Sequence, residues 1–463
     1  MIKAISLTSL AGLCDGSLRG DDCSVTSVST DTRTLEQGDL FIALQGENFD
    51  ARQFLSQAEQ KQASAAIVVE YFSDVSLPQI VVPDTLLALG KIAAWNRQQF
   101  AKPVVGLTGS VGKTSCKELL ASILSENGRV LATSGNLNNE IGVPLTLLRL
   151  EKEHDYAVIE MGAAQRGDIE YLSRLAQPDL ALVTTVAEAH LDGFKSIENI
   201  AATKAEIYQS LGEQGTAVIN VDNTHTRSMK DQLPHCKVVS FSASGRSATV
   251  SATNIKVNTL ESAAPATYSF TLDAPGFSVF VSLSVPGEFM VSNALAAAAC
   301  AYTLGLDAQQ IKRGIENFSG FRQRMKTQPG IAGSLVIDDS YNANPASVRA
   351  AIDVLSSMNG CRVLVMGVMA ELGPDSERLH REIGEYALDR KIDHLVCLGP
   401  AAQSAASAFS TSAQSFENHQ QCIEHCKELA QSLAQPVCFL VKGSRSAKME
   451  EVVANLSMLE GAI

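Results

Sequence analysis

The sequence predicts an α/β protein of three domains, spanning 1–84, 85–320 and 321–463. Three observations carry that expectation. Fully apolar runs of strand length alternate with helical stretches twice, first from Lys102 and again from Leu335. Runs of this kind belong to parallel strands covered on both faces. Between the two series, residues 320–330 hold two glycines, one proline and the cations Arg322, Arg324 and Lys326, joined by the neighbouring Arg313, the composition of a joint. The length of 463 residues also suits two to four domains at roughly 100–200 residues each.

The elements follow in order. Residues 26–82 carry the short apolar strands "DLFIAL", "AAIVV" and "QIVV" around a helical stretch after Phe49, a small α/β unit. Asp84 is a good N-cap for a helix running to Phe100, since a short acidic side chain can take a free amide of the first turn. "VVGL", "YAVIEM", "LALVTTV" and "TAVINV" then read as parallel strands. Residues 247–287 alternate Ser/Thr with apolar residues and read as an antiparallel addition to the same sheet. "SNALAAAACAYTLG" is a packed helix closed by Gly305, which suits the left-handed position after a helix. The second series is "LVID", "RVLVMG", "HLVCLG" and "VCFLVKG", each followed by a helical run. There is no internal repeat and no low-complexity tract.

The bulk numbers exclude some functions. A net charge of −13 makes the chain a poor general partner for nucleic acid or an anionic membrane surface. No stretch approaches about 18 consecutive apolar residues, so no membrane span is expected. The ten cysteines lack paired spacing, and Cys361, Cys397 and Cys438 sit in apolar runs as buried thiols do in a reducing compartment. The first residues lack a basic segment and a sustained apolar core, unlike a signal peptide. A cytoplasmic protein, monomeric in the simplest case, is expected.

One segment points to chemistry. "VVGLTGSVGKTSCKELL" (104–120) is a strand, a glycine turn and a helix start. The usual phosphate-binding spacing puts four residues between a first glycine and Gly-Lys-Thr/Ser. Here that position is Leu107, and Gly106 comes one residue too early. The turn Thr108, Gly109, Ser110, Val111, Gly112 can still aim amide N–H groups at an anion at the helix start. Lys113 adds a point charge for the β- and γ-phosphates of ATP, Thr114 a hydroxyl for Mg²⁺, and Ser115 follows. The alternative is an ordinary strand–helix turn with a chance Lys-Thr pair. This makes the central domain of P-loop type and the last Rossmann-like.

Downstream, Glu160 ends a buried strand, where a carboxylate needs a cation or water. Strand ends are where open parallel sheets bind ligands. His190 follows the next strand, as a structural or a ligating residue. Lys204 lies fourteen residues on and reads alone as a solvated surface lysine. Asn136, Asn138 and Asn139 precede an apolar helix, as a loop and cap would. "CIEHC" (422–426) is a packed helix rather than a metal knuckle. "EKEH" (151–154) and the charges at 377–381 read as solvated helix faces.

"TGSVGKTS" has the form T-G-x-x-G-K-T-[ST] and resembles the ATP-dependent Mur ligases and their folylpolyglutamate synthase relatives. The resemblance extends along the chain. "STDTRTLEQGDLFIALQGENFDARQF" resembles a uridine-nucleotide-binding segment centred on Asp31, Thr32 and Arg33. "GNLNNEIGVP" and "IDDSYNANPASVRAAID" look like the versions in the member that adds D-alanyl-D-alanine. "MAELG" followed by His380, and "LVKGSRSAKMEEVV", are further signatures.

The resemblance implies ATP and Mg²⁺ as cofactors, and UDP-MurNAc-tripeptide and D-Ala-D-Ala as substrates joined through an acyl phosphate. It assigns Asn293 to the adenine, Asp339 to the ribose, and Tyr341 and Asn342 to the nucleotide's surroundings. Glu160, His190 and a carbamylated Lys204 would hold metal, with Arg324 beside the phosphates. Asn136, Asn138 and Asn139 would hold the UDP-sugar substrate, and Lys442, Ser444 and Arg445 are candidates for the dipeptide. Three positions depart from the family pattern: Gln323 stands for a glycine, Val368 for an acid and Arg52 for a histidine. Folate–glutamate ligation and an ATP-regulated scaffold are the competing functions.

Overall fold

The structure, a computed structural model, describes residues 1–46, 49–187, 194–258, 266–409, 412–433 and 435–458. Three large sheets lie one after another along the chain. The first has five strands in the order Ser17–Arg19, Gln79–Val81, Ala65–Val68, Leu40–Ile42 and Val28–Ser29. Only its first pairing is antiparallel.

The central sheet has nine strands. Its order is Val130–Ala132, Tyr156–Glu160, Val104–Thr108, Leu180–Val183, Thr216–Asn220, Lys237–Ser242, Val250–Asn258, Thr267–Ala274 and Phe277–Leu283. The first seven run parallel, and the last two pairings are antiparallel. Tyr156–Glu160, Val104–Thr108 and Leu180–Val183 are buried at every residue, as their unbroken apolar runs require. The third sheet has the order Lys326–Pro329, Leu335–Asp339, Val437–Lys442, Cys361–Gly367, His394–Leu398 and Ala413–Phe416. It is parallel except for the first pairing.

Besides Ser17–Arg19 and Val28–Ser29 in the first sheet, four strands of the other two sheets escaped the sequence reading. Val130–Ala132 and Ala413–Phe416 are short sheet edges, and Lys237–Ser242 is half exposed, so none shows a long apolar run. Lys326–Pro329 is polar and lies inside the expected joint, already paired with Leu335–Asp339. "EKEH" is a turn, not a helix face: His154 is buried and its Nδ1 accepts the Glu151 N–H at 3.1 Å.

The helix Thr85–Gln98 joins the first two sheets. Asp84 caps it by accepting the Leu86 and Leu87 amides, as its position predicts. It packs on helices Gly142–Leu148 and Asp168–Ala176. Arg97 adds Nε to Ala176 O and Nη2 to Gln177 O, both at 2.7 Å.

The edge strand Phe277–Leu283 is covered by helix Ala308–Glu316, which also lies on the helix Lys113–Ser125. The fit there is close: a Cβ at Gly314 would sit 2.3 Å from the Ile123 Cα. Arg313 belongs to this helix, where it pairs with Glu126, and not to the joint. Of the ten free cysteines eight are buried, Cys236 is half-buried and Cys23 is exposed. Among the described residues no helix is long and apolar enough to cross a membrane.

Candidate active site

The strand Val104–Thr108 ends at the glycine turn, between the ends of two parallel neighbours. Gly112 has φ +82° and opens the helix Lys113–Ser125 without a side-chain cap, leaving its first amides for a ligand. A Cβ at Gly112 would lie 2.5 Å from Asn293 Oδ1, and one at Gly109 would lie 2.0 Å from Thr184 Oγ1. Both positions therefore require glycine. Thr184 braces the turn by donating to Val111 O at 2.7 Å. The displaced first glycine has its own cause: a Cβ at Gly106 would meet Pro178 and Met161 at 3.1 and 3.2 Å. Gly106 thus serves packing, and Gly109 serves the turn.

Above the turn is a cavity of about 800 Å³. Ser110 to Ser115, Asn136, Asn138, Asn139, Glu160, Lys204, Asn293, Arg324, Asp339, Tyr341, Asn342 and Lys442 all line it. Residues more than 300 positions apart in sequence therefore meet at one place. Thr108 does not line it; its hydroxyl donates to Met161 O at 2.8 Å and fixes the strand end.

Glu160 is buried, and its Oε1 accepts from Asn138 Nδ2 at 2.9 Å. Among the described residues its Oε2 and the Ser110 hydroxyl are buried with no partner. Unsatisfied buried oxygens are rare, and two at one cavity mark a place for a cation or a polar ligand. The Lys113 ammonium donates to Gly109 O at 2.8 Å. Burial pushes its pKa down, Glu160 opposes this and Arg324 adds to it. Arg324 lies across the joint with Nη2 3.2 Å from Thr114 Oγ1 and its guanidinium 4.1 Å from the Tyr341 ring centre. Its Nε is buried and unpartnered. Gln323, at the family's glycine position, has φ +62°, the conformation glycine would adopt without strain.

Lys204 is not a surface lysine. It is 3% exposed at the end of helix Ile197–Ala205. Burial, then Lys113, lower its pKa to about 7, against the opposing Asp168 and Glu206. Among the described residues its ammonium meets only the Phe194 ring, at 5.6 Å, and no hydrogen-bond acceptor. His190 lies outside the described residues.

Other expected residues divide. Asn139 caps its helix through the Gly142 amide at 2.9 Å. The buried Lys442 donates to the Asp339 carboxylate and to Asn342 O. Ser444 links Ala370 N and Ala343 O. Arg445 is exposed, pairs with Glu450 at 2.7 Å, and borders a second cavity of about 270 Å³ with Asn342 and Glu371. Asp31, Thr32 and Arg33 are not on the large cavity. Arg33 forks onto Asp31, whose pKa it lowers, and Thr32 donates to Gln57 at 2.6 Å.

The sequence reading missed one side of the cavity. Val285, Phe289, Met290, Phe318, Ala346 and Ala350 also line it. The i, i+4 alanines on helix Pro345–Ser356 were the only available signal.

Residues 107–301 match the Mur ligase middle domain, and residues 323–445 match the Mur ligase, glutamate ligase domain. The UDP-N-acetylmuramoyl-tripeptide–D-alanyl-D-alanine ligase of Escherichia coli is 44% identical over 98% of both chains. The chain belongs to the Mur ligase family. This Mur ligase is an ATP-dependent ligase by membership. It is also similar to MurF from Acinetobacter baumannii, at a TM-score of 0.91 and 37% identity over 98% of this chain and 99% of that one. A MurF ligase from Thermotoga maritima, solved in complex with ADP, matches at a TM-score of 0.79 and 26% identity over 93% and 96% of the chains. Both relatives share the three-sheet mixed α/β architecture of this Mur ligase.

Proposed function

We propose that this Mur ligase joins D-Ala-D-Ala to UDP-MurNAc-tripeptide at the expense of ATP, giving UDP-MurNAc-pentapeptide, ADP and phosphate. The observation that carries the reading is the single cavity. It joins a phosphate-type turn, an unsatisfied carboxylate and the joint's Arg324 in a chain 44% identical to a ligase of that name.

A carboxylate resists an amine because it is an anion with a poor leaving group. In the first step the tripeptide's terminal carboxylate oxygen attacks the γ-phosphorus, and ADP leaves. In the second the dipeptide amine attacks the acyl phosphate carbonyl, phosphate leaves, and the nitrogen loses a proton. The first step needs alignment and charge neutralisation more than covalent help. The turn amides, Lys113 and Arg324 supply positive groups from two sides, and Ser110, Thr114 and Ser115 add hydroxyls. Asn293, Asp339, Tyr341 and Asn342 would seat the nucleoside.

Mg²⁺ fits the donors present. The Thr114 hydroxyl and the unpartnered Glu160 Oε2 are hard oxygens, with His190 and Lys204 as the further expected ligands. Among the described residues no cluster of three His, Cys, Asp or Glu could hold a metal by itself, which suits an ion that rests largely on substrate phosphates. When bound, it would neutralise phosphate charge. Lys204 supports carbamylation by its burial and lack of an acceptor. A neutral amine adds CO₂ and loses a proton, so the group becomes an anion that the cavity's cations would stabilise.

We assign the sugar nucleotide to residues 1–84 with Asp31, Thr32, Arg33 and the 136–139 amides. ATP falls to 85–320, and the dipeptide to 321–463 near Arg445 and the smaller cavity. Buried free thiols support a cytoplasmic setting. The test is mass spectrometry of products from ATP, Mg²⁺, D-Ala-D-Ala and UDP-MurNAc-tripeptides with lysine or meso-diaminopimelate in third place. A pentapeptide formed in step with orthophosphate is expected. Folate glutamylation instead would overturn the assignment.

A further inference from the structure

Lys117 has a role that the mechanism above leaves unused. It lies one turn beyond Lys113 on the same helix, and its side chain has no solvent exposure. A buried ammonium is costly unless several groups satisfy it. Lys117 Nζ donates to Thr133 O at 2.5 Å, pairs with Glu118 at 2.8 Å, and sits 5.6 Å from the Phe321 ring centre.

Two of these partners lead to different sides of the cavity. Thr133 begins the amide-rich loop, and its hydroxyl accepts the Glu160 N–H at 2.9 Å. Asn138, in that loop, holds the Glu160 carboxylate. Phe321 lies in the joint and lines the cavity with Arg324. The two are bridged, with Arg324 N donating to Phe321 O at 3.0 Å. Moving the Phe321 backbone therefore moves Arg324.

We propose that Lys117 is a positioning residue that couples the joint carrying Arg324 to the strand end carrying Glu160. It touches no substrate. One ammonium holds the Thr133 carbonyl on one side and the Phe321 ring on the other, so the two groups keep a common register beside the nucleotide turn. Methionine keeps the length of the stem but can hold neither partner. The inference rests on reading the cavity as the nucleotide site. Product formation by the parent protein tests that reading separately, because the coupling is read only from ratios of variant to parent.

The experiment is a double-mutant cycle on steady-state ligation, with Lys117→Met, Phe321→Leu and both together, each checked for folding by thermal melting. A desolvated cation–π contact predicts a kcat loss of about 3- to 30-fold in each single variant. The ATP KM should change less than about 3-fold. The double variant should lose little more than the worse single one. Phe321→Tyr, which keeps the aromatic face, should lose less kcat than Phe321→Leu. Unchanged kcat in both single variants, or losses that multiply in the double, would overturn the proposal. If Lys117→Met does not fold, the Phe321 pair decides. A leucine rate below the tyrosine rate supports the coupling, and equal rates sink it.

Discussion

Lys113 and Lys204 show how one residue type takes different parts beside one cavity. Lys113 keeps a carbonyl partner, and Glu160 opposes the burial that lowers its pKa. Lys113→Met should lower kcat about 10²–10³-fold, the usual cost of removing one preorganised charge donor. The melting temperature should stay near the parent's, and a coupled phosphate-release assay reads the effect. Lys204 was legible only through its motif, because burial cannot be seen in one sequence. His380 was noticed as part of a signature and proves structural. It is fully buried, with Nδ1 2.7 Å from Ser376 O and Nε2 accepting the Met369 amide at 2.9 Å. The Met369 contact needs the neutral ring, and burial holds its pKa below 6.5 against the opposing Ser376 carbonyl. The unfolded chain takes up a proton near pH 6.5, and the folded chain resists it. This contribution to stability is therefore complete above that pH and is lost as pH falls through it. Denaturant midpoints should drop between pH 7.5 and 5.5, with a shallower slope in His380→Gln.

The helices and strands differ in how plainly the sequence announced them. Val104–Thr108 and Tyr156–Glu160 are buried on both faces, so apolar residues fill every position and the pattern is visible. Val130–Ala132 and Lys237–Ser242 take their strand character from neighbours already in place, which no local pattern records. The site was legible where backbone geometry dictates residue type, as at Gly109, Gly112 and Lys113. It was illegible where only packing matters, as on the side formed by Phe289 and Ala346. Ser444, expected as a ligand contact, lines the smaller cavity and also ties two loops together. Helix Ala308–Glu316 offers a clean test of packing. Asp307 and Gln310 form a capping box, and Gly314 presses against the backbone of the nucleotide helix. Gly314→Ala should destabilise the protein by about 1–3 kcal/mol through overpacking. Urea unfolding reads the loss, and the same substitution should raise the ATP KM if the displaced helix shifts Lys113.

The central and last sheets meet around one cavity whose far side belongs to the residues after the joint. Arg324 already reaches Thr114, so the closing contact spans two sheets rather than lying within either. Adding ATP, Mg²⁺ and the sugar nucleotide should draw the last domain inward and exclude water from the acyl phosphate. Small-angle scattering is expected to show a smaller radius of gyration, and an unchanged envelope would count against closure. The cysteine distribution offers an independent view of the same motion. Cys23 is the one exposed thiol of the ten and sits on the first sheet's side of the molecule. A maleimide dye should therefore attach at a single address once the half-buried Cys236 is replaced. Paired with a second fluorophore on the final helix, it would turn the approach of two domains into a change in energy transfer, followed one molecule at a time.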